Sequence, residues 1–265
     1  MGILNITPDS FSDGGNFINE DQALFYCEKM IQDGVDIIDI GGESSRPGSV
    51  GISAEEELSR IGSIVAKVRK KFDVCISVDT YKPQVAEEVL KLGADLINDI
   101  TGLSNSEKIA KLTFEYDSGL CLMHMRNKPK TMQLNTEYNN VISDIKGFLK
   151  SSVNKAIANG MKKGSIIIDP GIGFGKDLKG NSTILSNLSK FLDLGCPILI
   201  GTSRKNFIGQ INGKEMSKRL NGTIASNVVA LLNGARIFRV HDVKENKDSL
   251  IVANEIMRSG EKIEA

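Results

Sequence analysis

The polar residues able to do chemistry in this sequence recur in one setting, at or just past the end of a short apolar run. These endings are Asn5, Asp39 with Gly41 and Gly42, Asp79, Asn98 with Asp99, His124, Asp169, Gly201 leading to Lys205, and Arg239 with His241. A lone Asp in such a place usually caps a helix or shapes a turn. Eight endings of this kind in one chain point instead to groups converging on a common mouth. Arg239 and His241 are two apart at a strand end, so their side chains share a face, and Arg offers forked donors suited to phosphate oxygens. A satisfied core histidine is the plainer reading of His241.

Other candidate chemistry is weaker. Gly171, Gly173 and Gly175 alternate, and Lys176 is followed by Asp177. That meets neither the Walker spacing nor the dinucleotide fingerprint. His124 and His241 are the only histidines, and no Ser-His-Asp arrangement suggests itself. Cys27, Cys75, Cys121 and Cys196 are far apart with no CxxC pair, which reads as reduced thiols in a cytoplasmic protein rather than a zinc site. Two loops, 7–15 and 44–51, are rich in Gly, Ser, Asp and Pro, the composition of segments that order over a ligand.

The elements that must position these groups follow from the same runs, at 2–6, 35–40, 74–78, 95–97, 119–123, 165–168, 197–200 and 235–240. Near-continuous apolar runs are what strands buried on both faces of a parallel sheet require. Between them lie one-faced helical patterns, such as Leu58, Ile61, Ile64, Val65 and Val68, or Ile224, Ala225, Val228, Val229 and Leu232. Eight alternations over 265 residues predict a single α/β domain spanning 1–265, a (β/α)8 TIM barrel with mobile loops at its C-terminal mouth. A doubly wound open sheet is the alternative. Because the first strand begins at Met1 or Gly2, the reading expects an upstream segment covering the barrel floor. Lys plus Arg balances Asp plus Glu at 33 each, which excludes a general nucleic-acid surface, and no run approaches a membrane span.

These motifs together resemble the dihydropteroate synthases. The resemblance runs in order through Met1-Gly-Ile-Leu-Asn-Ile-Thr-Pro-Asp-Ser-Phe-Ser-Asp-Gly-Gly15, Asp39-Ile-Gly-Gly-Glu-Ser-Ser-Arg-Pro-Gly48, Ile76-Ser-Val-Asp-Thr80, Ile97-Asn-Asp-Ile100 and Leu122-Met-His-Met125. It continues through Pro129-Lys-Thr-Met-Gln133, Asp169-Pro-Gly-Ile-Gly-Phe-Gly-Lys176, Ser203-Arg-Lys205 and Arg239-Val-His-Asp-Val243. It implies condensation of a dihydropterin pyrophosphate with p-aminobenzoate, and a homodimer.

The resemblance also implies roles. Asp169 would accept from the paired N–H and amino group of a pterin edge, a geometry suited to one carboxylate. Asp79, Asn98, Met123, Gly201 and Lys205 would complete the pterin pocket. Asn5, Arg46, Arg239 and His241 would hold pyrophosphate. Phe11, Ser45, Arg46, Pro47, Phe174 and Asn206 would form the p-aminobenzoate pocket. Mg2+ is expected at Asp9 with Asn5 nearby, since this cation keeps several waters and needs few protein ligands. A neutral arylamine is already a nucleophile, so catalysis would rest on Asn5, Asp9, Lys205, Arg239 and His241 stabilising the pterin and the leaving anion.

The sequence departs from the family pattern at Ser45, where Thr is common, at Asn206, where Ser is common, and at Asn127, where Gly is frequent. The nearest rival, a methyltetrahydrofolate-binding methyltransferase, would need neither the loop of Phe11, nor Ser203-Arg204-Lys205, nor the Arg239/His241 pair. A non-catalytic pterin-binding protein is the rival of a different class.

Overall fold

The computed structural model describes residues 1–7, 20–46, 48–127 and 129–261. Strand and helix alternate: β1 (Gly2–Asn5), α1 (Glu20–Gln32), β2 (Ile37–Gly41), α2 (Ala54–Lys71), β3 (Cys75–Asp79), α3 (Pro83–Lys91), β4 (Leu96–Asp99) and α4 (Lys108–Glu115). Then follow β5 (Gly119–Met123), α5 (Val141–Ala158), β6 (Ile166–Asp169), α6 (Leu178–Ser186), β7 (Ile198–Ile200), α7 (Asn206–Asn212), α8 (Leu220–Leu232), β8 (Ala235–Phe238) and α9 (Val243–Glu261). The strands pair in parallel in sequence order. The sheet closes on itself, because Gly2 bridges Val240, Ile3 N–H donates to Val240 O at 3.0 Å, and Val240 N–H donates to Met1 O at 2.9 Å. The closed barrel, not the open sheet, is the fold.

All eight apolar runs become strands, β5 with the ends read from sequence and the others with an end shifted by one or two residues. The second begins at Ile37 rather than residue 35, because Gly34 at φ 83° first ends α1 and turns the chain, with Val35 N–H on Met30 O. α7 was not anticipated; its seven residues lie between Lys205 and Gly213. The predicted helical face around Ile224 and Leu232 lies in α8. α2 shows why such segments are helical: Ser53 caps it by accepting Glu56 N–H at 3.1 Å, Glu55–Glu57 fill the first turn, and Arg69–Lys71 fill the last.

Strand periodicity sorts the side chains into two cores. Outward residues such as Ile38, Ile40, Ile76, Val78, Ile97, Leu120 and Ile168 pack under the helices. Inward residues form a separate layer of Met1, Ile37, Leu96, Cys121, Ile167, Leu199 and Ile237. Two residues further along the same strands, still inward, stand Asp39, Asn98, Met123, Asp169, Gly201 and Arg239. An apolar floor therefore supports a polar tier, and each fully buried floor side chain contributes roughly 1.5–3 kcal/mol.

Candidate active site

The polar tier is organised on one side by a guanidinium shared between two carboxylates. Asp39, fully buried in the middle of β2, accepts from Ser77 Oγ at 2.6 Å and from Arg239 Nε at 2.6 Å, with Asn98 Nδ2 at 3.4 Å. Arg239 Nη2 donates to Asp79 Oδ2 at 3.0 Å. Burial raises the Asp79 carboxyl well above the usual carboxylate range, against the opposing pull of Arg239 and with the Asp39 charge adding to the rise. Asn5 stands beside this group: a methyl on Gly41 would lie 3.7 Å from Asn5 Oδ1 and 3.5 Å from Asp79 Cβ.

Opposite, Asp169 and Lys205 come from the ends of β6 and β7. Asp169 Oδ1 accepts Gly171 N–H at 2.6 Å, and burial raises its pKa against the pull of the Lys205 charge. Lys205 Nζ donates to Ile172 O and sits 4.6 Å from the Phe174 ring centroid, a cation–π contact. Burial lowers its pKa to about 8, with Asp169 opposing. The glycines serve close approach: Gly171 has φ 72°, and a Cβ there would stand 2.0 Å from His124 O. At Gly173 it would stand 3.1 Å from Lys205 Cδ. Met123 is buried beside Asp169 in the β5–β6 register, and a methyl on Gly201 would lie 3.7 Å from Lys205 Nζ.

At the rim, His241 is exposed, which overturns the core-histidine alternative. Its Nδ1 lies 2.9 Å from Ser203 Oγ, and Ser203 Oγ also accepts His241 N–H at 3.1 Å. Partial desolvation by the surrounding chain, then the charges of Arg239 and Arg204, hold the imidazole down to about 4, so it is neutral at ordinary pH. Arg46 adds to the same lowering. Arg204 itself, at φ 57°, is occupied by a two-pronged ion pair with Asp242. Loop 44–51 leaves Ser45 half-buried and Arg46 exposed, and meets the β5–α5 connection where Gly48 N–H donates to Pro129 O at 3.2 Å. Asn206 is the exposed first residue of α7. Asp9, Phe11 and Pro47 lie outside the described residues.

Two participants were missed from sequence. Asp39 was noted only as a strand ending, yet it holds Arg239. Lys176 was weighed only against the Walker pattern, yet it is buried with Nζ 2.9 Å from Phe174 O, 3.3 Å from His124 O and 3.0 Å from His124 Nδ1. Burial, then the Lys176 charge, pushes the His124 pKa down to about 3, leaving Nδ1 free to accept. Strand parity was the usable signal for Asp39; for the His124–Lys176 pair there was none beyond a lysine closing a glycine-rich turn.

Comparison with known proteins agrees with this geometry. A family profile described as pterin binding enzyme matches residues 1–241. The dihydropteroate synthase of Clostridium beijerinckii is 46% identical over 259 residues, covering 97% of this chain and 94% of that protein. A crystal structure of dihydropteroate synthase from Clostridium difficile in the presence of pteroic acid superposes with a TM-score of 0.90 at 45% identity, covering 96% of this chain and 95% of that one. The Yersinia pestis dihydropteroate synthase in complex with a sulfonamide drug gives 0.92 at 42% identity, covering 97% and 93%. With 42–46% identity over nearly the whole length of each of these relatives, and with Asp79, Asn98 and Asp169 at strand ends of one closed barrel, the chain belongs to the dihydropteroate synthase family.

Proposed function

We infer that the chain is a transferase that condenses 6-hydroxymethyl-7,8-dihydropterin pyrophosphate with p-aminobenzoate, giving 7,8-dihydropteroate and pyrophosphate in folate biosynthesis. The observation that carries this reading is the desolvated Asp169–Lys205 pair at neighbouring strand ends, an acceptor and a donor whose charges act on one another and on Arg239, with Gly173 and Gly201 keeping backbone close to the Lys205 side chain. The arylamine lone pair forms a C–N bond to the pterin methylene carbon, the C–O bond to pyrophosphate breaks, and the nitrogen then releases its proton to solvent.

In this reading Asp169 accepts from the pterin edge, Asp79 and Asn98 read the rest of the ring, and Lys205 donates to its carbonyl. Met123 and Gly201 shape the pocket. Arg239, His241, Arg46 and Asn5 receive the departing pyrophosphate, with His241 donating from a neutral ring. Ser45, Arg46, Phe174 and Asn206, with Phe11 and Pro47, contact p-aminobenzoate. Relatives solved in the presence of pteroic acid and with 4-aminobenzoic acid support both halves of the substrate set.

We also assign Mg2+ to Asn5 and Asp9. Among the described residues no three His, Cys, Asp or Glu side chains gather into a metal cage, and the strand-end carboxylates Asp39, Asp79 and Asp169 are matched by Arg239, Lys205 and Lys176. That donor set suits a cation carried largely by phosphate oxygens and water, supplying charge neutralisation for the leaving group. A homodimer is supported by the outer face of α8 and α9, where Val229, Leu232, Val252 and Ile256 are exposed on adjacent helices. Four free thiols support a cytoplasmic location, and among the described residues no helix is long and apolar enough to cross a membrane.

The test is pyrophosphate release by purified protein. Turnover requiring both substrates and Mg2+ is expected; release without p-aminobenzoate would overturn the reading.

A further inference from the structure

Behind the mouth, between β2, β3 and α2, lies a charged cluster that the proposed chemistry does not use. Glu43 follows the glycine pair that ends β2. Its carboxylate accepts Ile52 N–H at 3.1 Å, Tyr81 Oη–H at 2.7 Å and Lys82 Nζ–H at 2.5 Å. Lys82 also pairs with Glu57 of α2, a side chain only 1% exposed, whose Oε1 finds no hydrogen-bond partner among the described residues. Lys82 and Glu43 are themselves 13% and 9% exposed.

The placement of these bonds is specific. Residues 43 and 52 flank loop 44–51, so one carboxylate ties its two ends together. Tyr81 and Lys82 immediately follow Asp79 and Thr80, so the same carboxylate fastens the loop to the strand end that carries Asp79. The helix side is equally tight: a Cβ on Gly42 would stand 2.9 Å from Ile61 Cγ2 and 3.2 Å from Glu57 O, and Arg60 Nη1 donates to Gly42 O at 2.8 Å. A purely stabilising device need not straddle a loop. Two carboxylates around one lysine, taken out of water, is a costly arrangement that apolar residues of the same volume could replace at no loss of stability.

We propose that Glu43, Tyr81, Lys82 and Glu57 form a buried clasp that positions loop 44–51, and through Ser45 and Arg46 determines how the arylamine is held. Only Ser45 and Arg46 touch substrate in this scheme; the four clasp residues are positioning residues. The clasp rests on the assignment of loop 44–51 to p-aminobenzoate made above.

Its test uses Lys82→Met, Lys82→Arg and Tyr81→Phe in the full chain, with amide hydrogen exchange and ligand binding as the two readouts, the latter comparing KM for p-aminobenzoate with the dissociation constant of a pterin that lacks the pyrophosphate. Lys82→Met is expected to speed exchange across residues 44–52, Ile52 above all, and to raise KM for p-aminobenzoate about tenfold while leaving the dissociation constant of a pterin without the pyrophosphate within about twofold, a difference of roughly 1.4 kcal/mol on one ligand only. Lys82→Arg is expected to recover most of the loss, and Tyr81→Phe to give a smaller effect of the same kind. Unchanged exchange at 44–52, or equal weakening of p-aminobenzoate and of the pyrophosphate-free pterin, would overturn the clasp. Should Lys82→Met fail to fold, Tyr81→Phe carries the same two readouts. Arg46→Ala separates the two ideas: if exchange rises in Lys82→Met but neither variant changes KM for p-aminobenzoate, the loop assignment fails and the proposed role of the clasp in holding the arylamine is overturned with it.

Discussion

Arg239 Nε lies 2.6 Å from Asp39 Oδ2, although 200 residues separate them in sequence. The pair spans the closure of the barrel, joining β2 to the residue just after β8. It also fixes how Arg239 is shared, because a guanidinium held at Nε by Asp39 presents Nη2 to Asp79. Removing Asp39 strands a buried cation, so Asp39→Ala is expected to cost about 3–5 kcal/mol of stability. Chemical denaturation checks this, and a loss below about 1 kcal/mol would show that the pair is dispensable.

Asp169→Asn keeps the shape of the side chain and its acceptance of Gly171 N–H but removes the charge. Hydrogen bonds to charged groups are worth about 1.5–3 kcal/mol, so pterin affinity is expected to fall about 10–150-fold. Calorimetric titration with a pterin in the absence of p-aminobenzoate isolates this effect; unaltered affinity would remove Asp169 from the pocket.

Lys205 gives a pH dependence whose sign can be worked out. Its folded pKa of about 8 lies below the ordinary lysine value of 10.5, so the folded protein binds fewer protons in that interval and stability rises from Lys205 as pH climbs from about 8 towards 10.5. Pterin affinity is expected to move the other way, weakening above about pH 8 as the ammonium is lost. Lys205→Arg should flatten both trends; a persisting inflection would assign it elsewhere.

His241 predicts a flat region instead. With its imidazole held at about 4, pyrophosphate affinity of the free protein is expected not to change between pH 5.5 and 7 on its account. An inflection near 6.5 that disappears in His241→Asn would show that the ring is charged when it meets the anion.

Two glycines with left-handed backbone separate strain from collision. Gly213 has φ 68° and nothing within 4 Å of an added Cβ, so Gly213→Ala is expected to cost only about 1–2 kcal/mol. At Gly171 the same change drives Cβ into His124 O, and the turn beneath Asp169 must move. Thermal melting should rank Gly171→Ala as far the worse, with pterin binding lost.

The fold was legible because parallel strands buried on both faces write themselves as continuous apolar runs, and Val78, Ile97 and Ile168 sit where those runs place them. The polar tier was legible for a related reason, since Asp79, Asn98 and Asp169 lie at or beside the run ends. Partnership was not. Whether Arg239 faces an incoming anion or a carboxylate depends on which strand closes against β1, a contact between chain ends that no local pattern records. The clasp at Glu43 was hidden in the same way, because no spacing links Glu43, Glu57 and Lys82 until α2 and the end of β3 bring them together beside the loop.

The bond from Lys205 to the backbone oxygen of Ile172 gives the pocket a resident decoy. A buried amine with no acceptor would be penalised for every moment the site stood open, and the chain meets that with a carbonyl of its own. In the proposed reaction, a ring that offers a carbonyl would meet an ammonium already aimed by Ile172 O, either sharing its three N–H donors with that oxygen or replacing it. The consequence would be selectivity: a heterocycle of the same outline but lacking the oxygen would leave the lysine bonded to its own backbone and gain nothing from it.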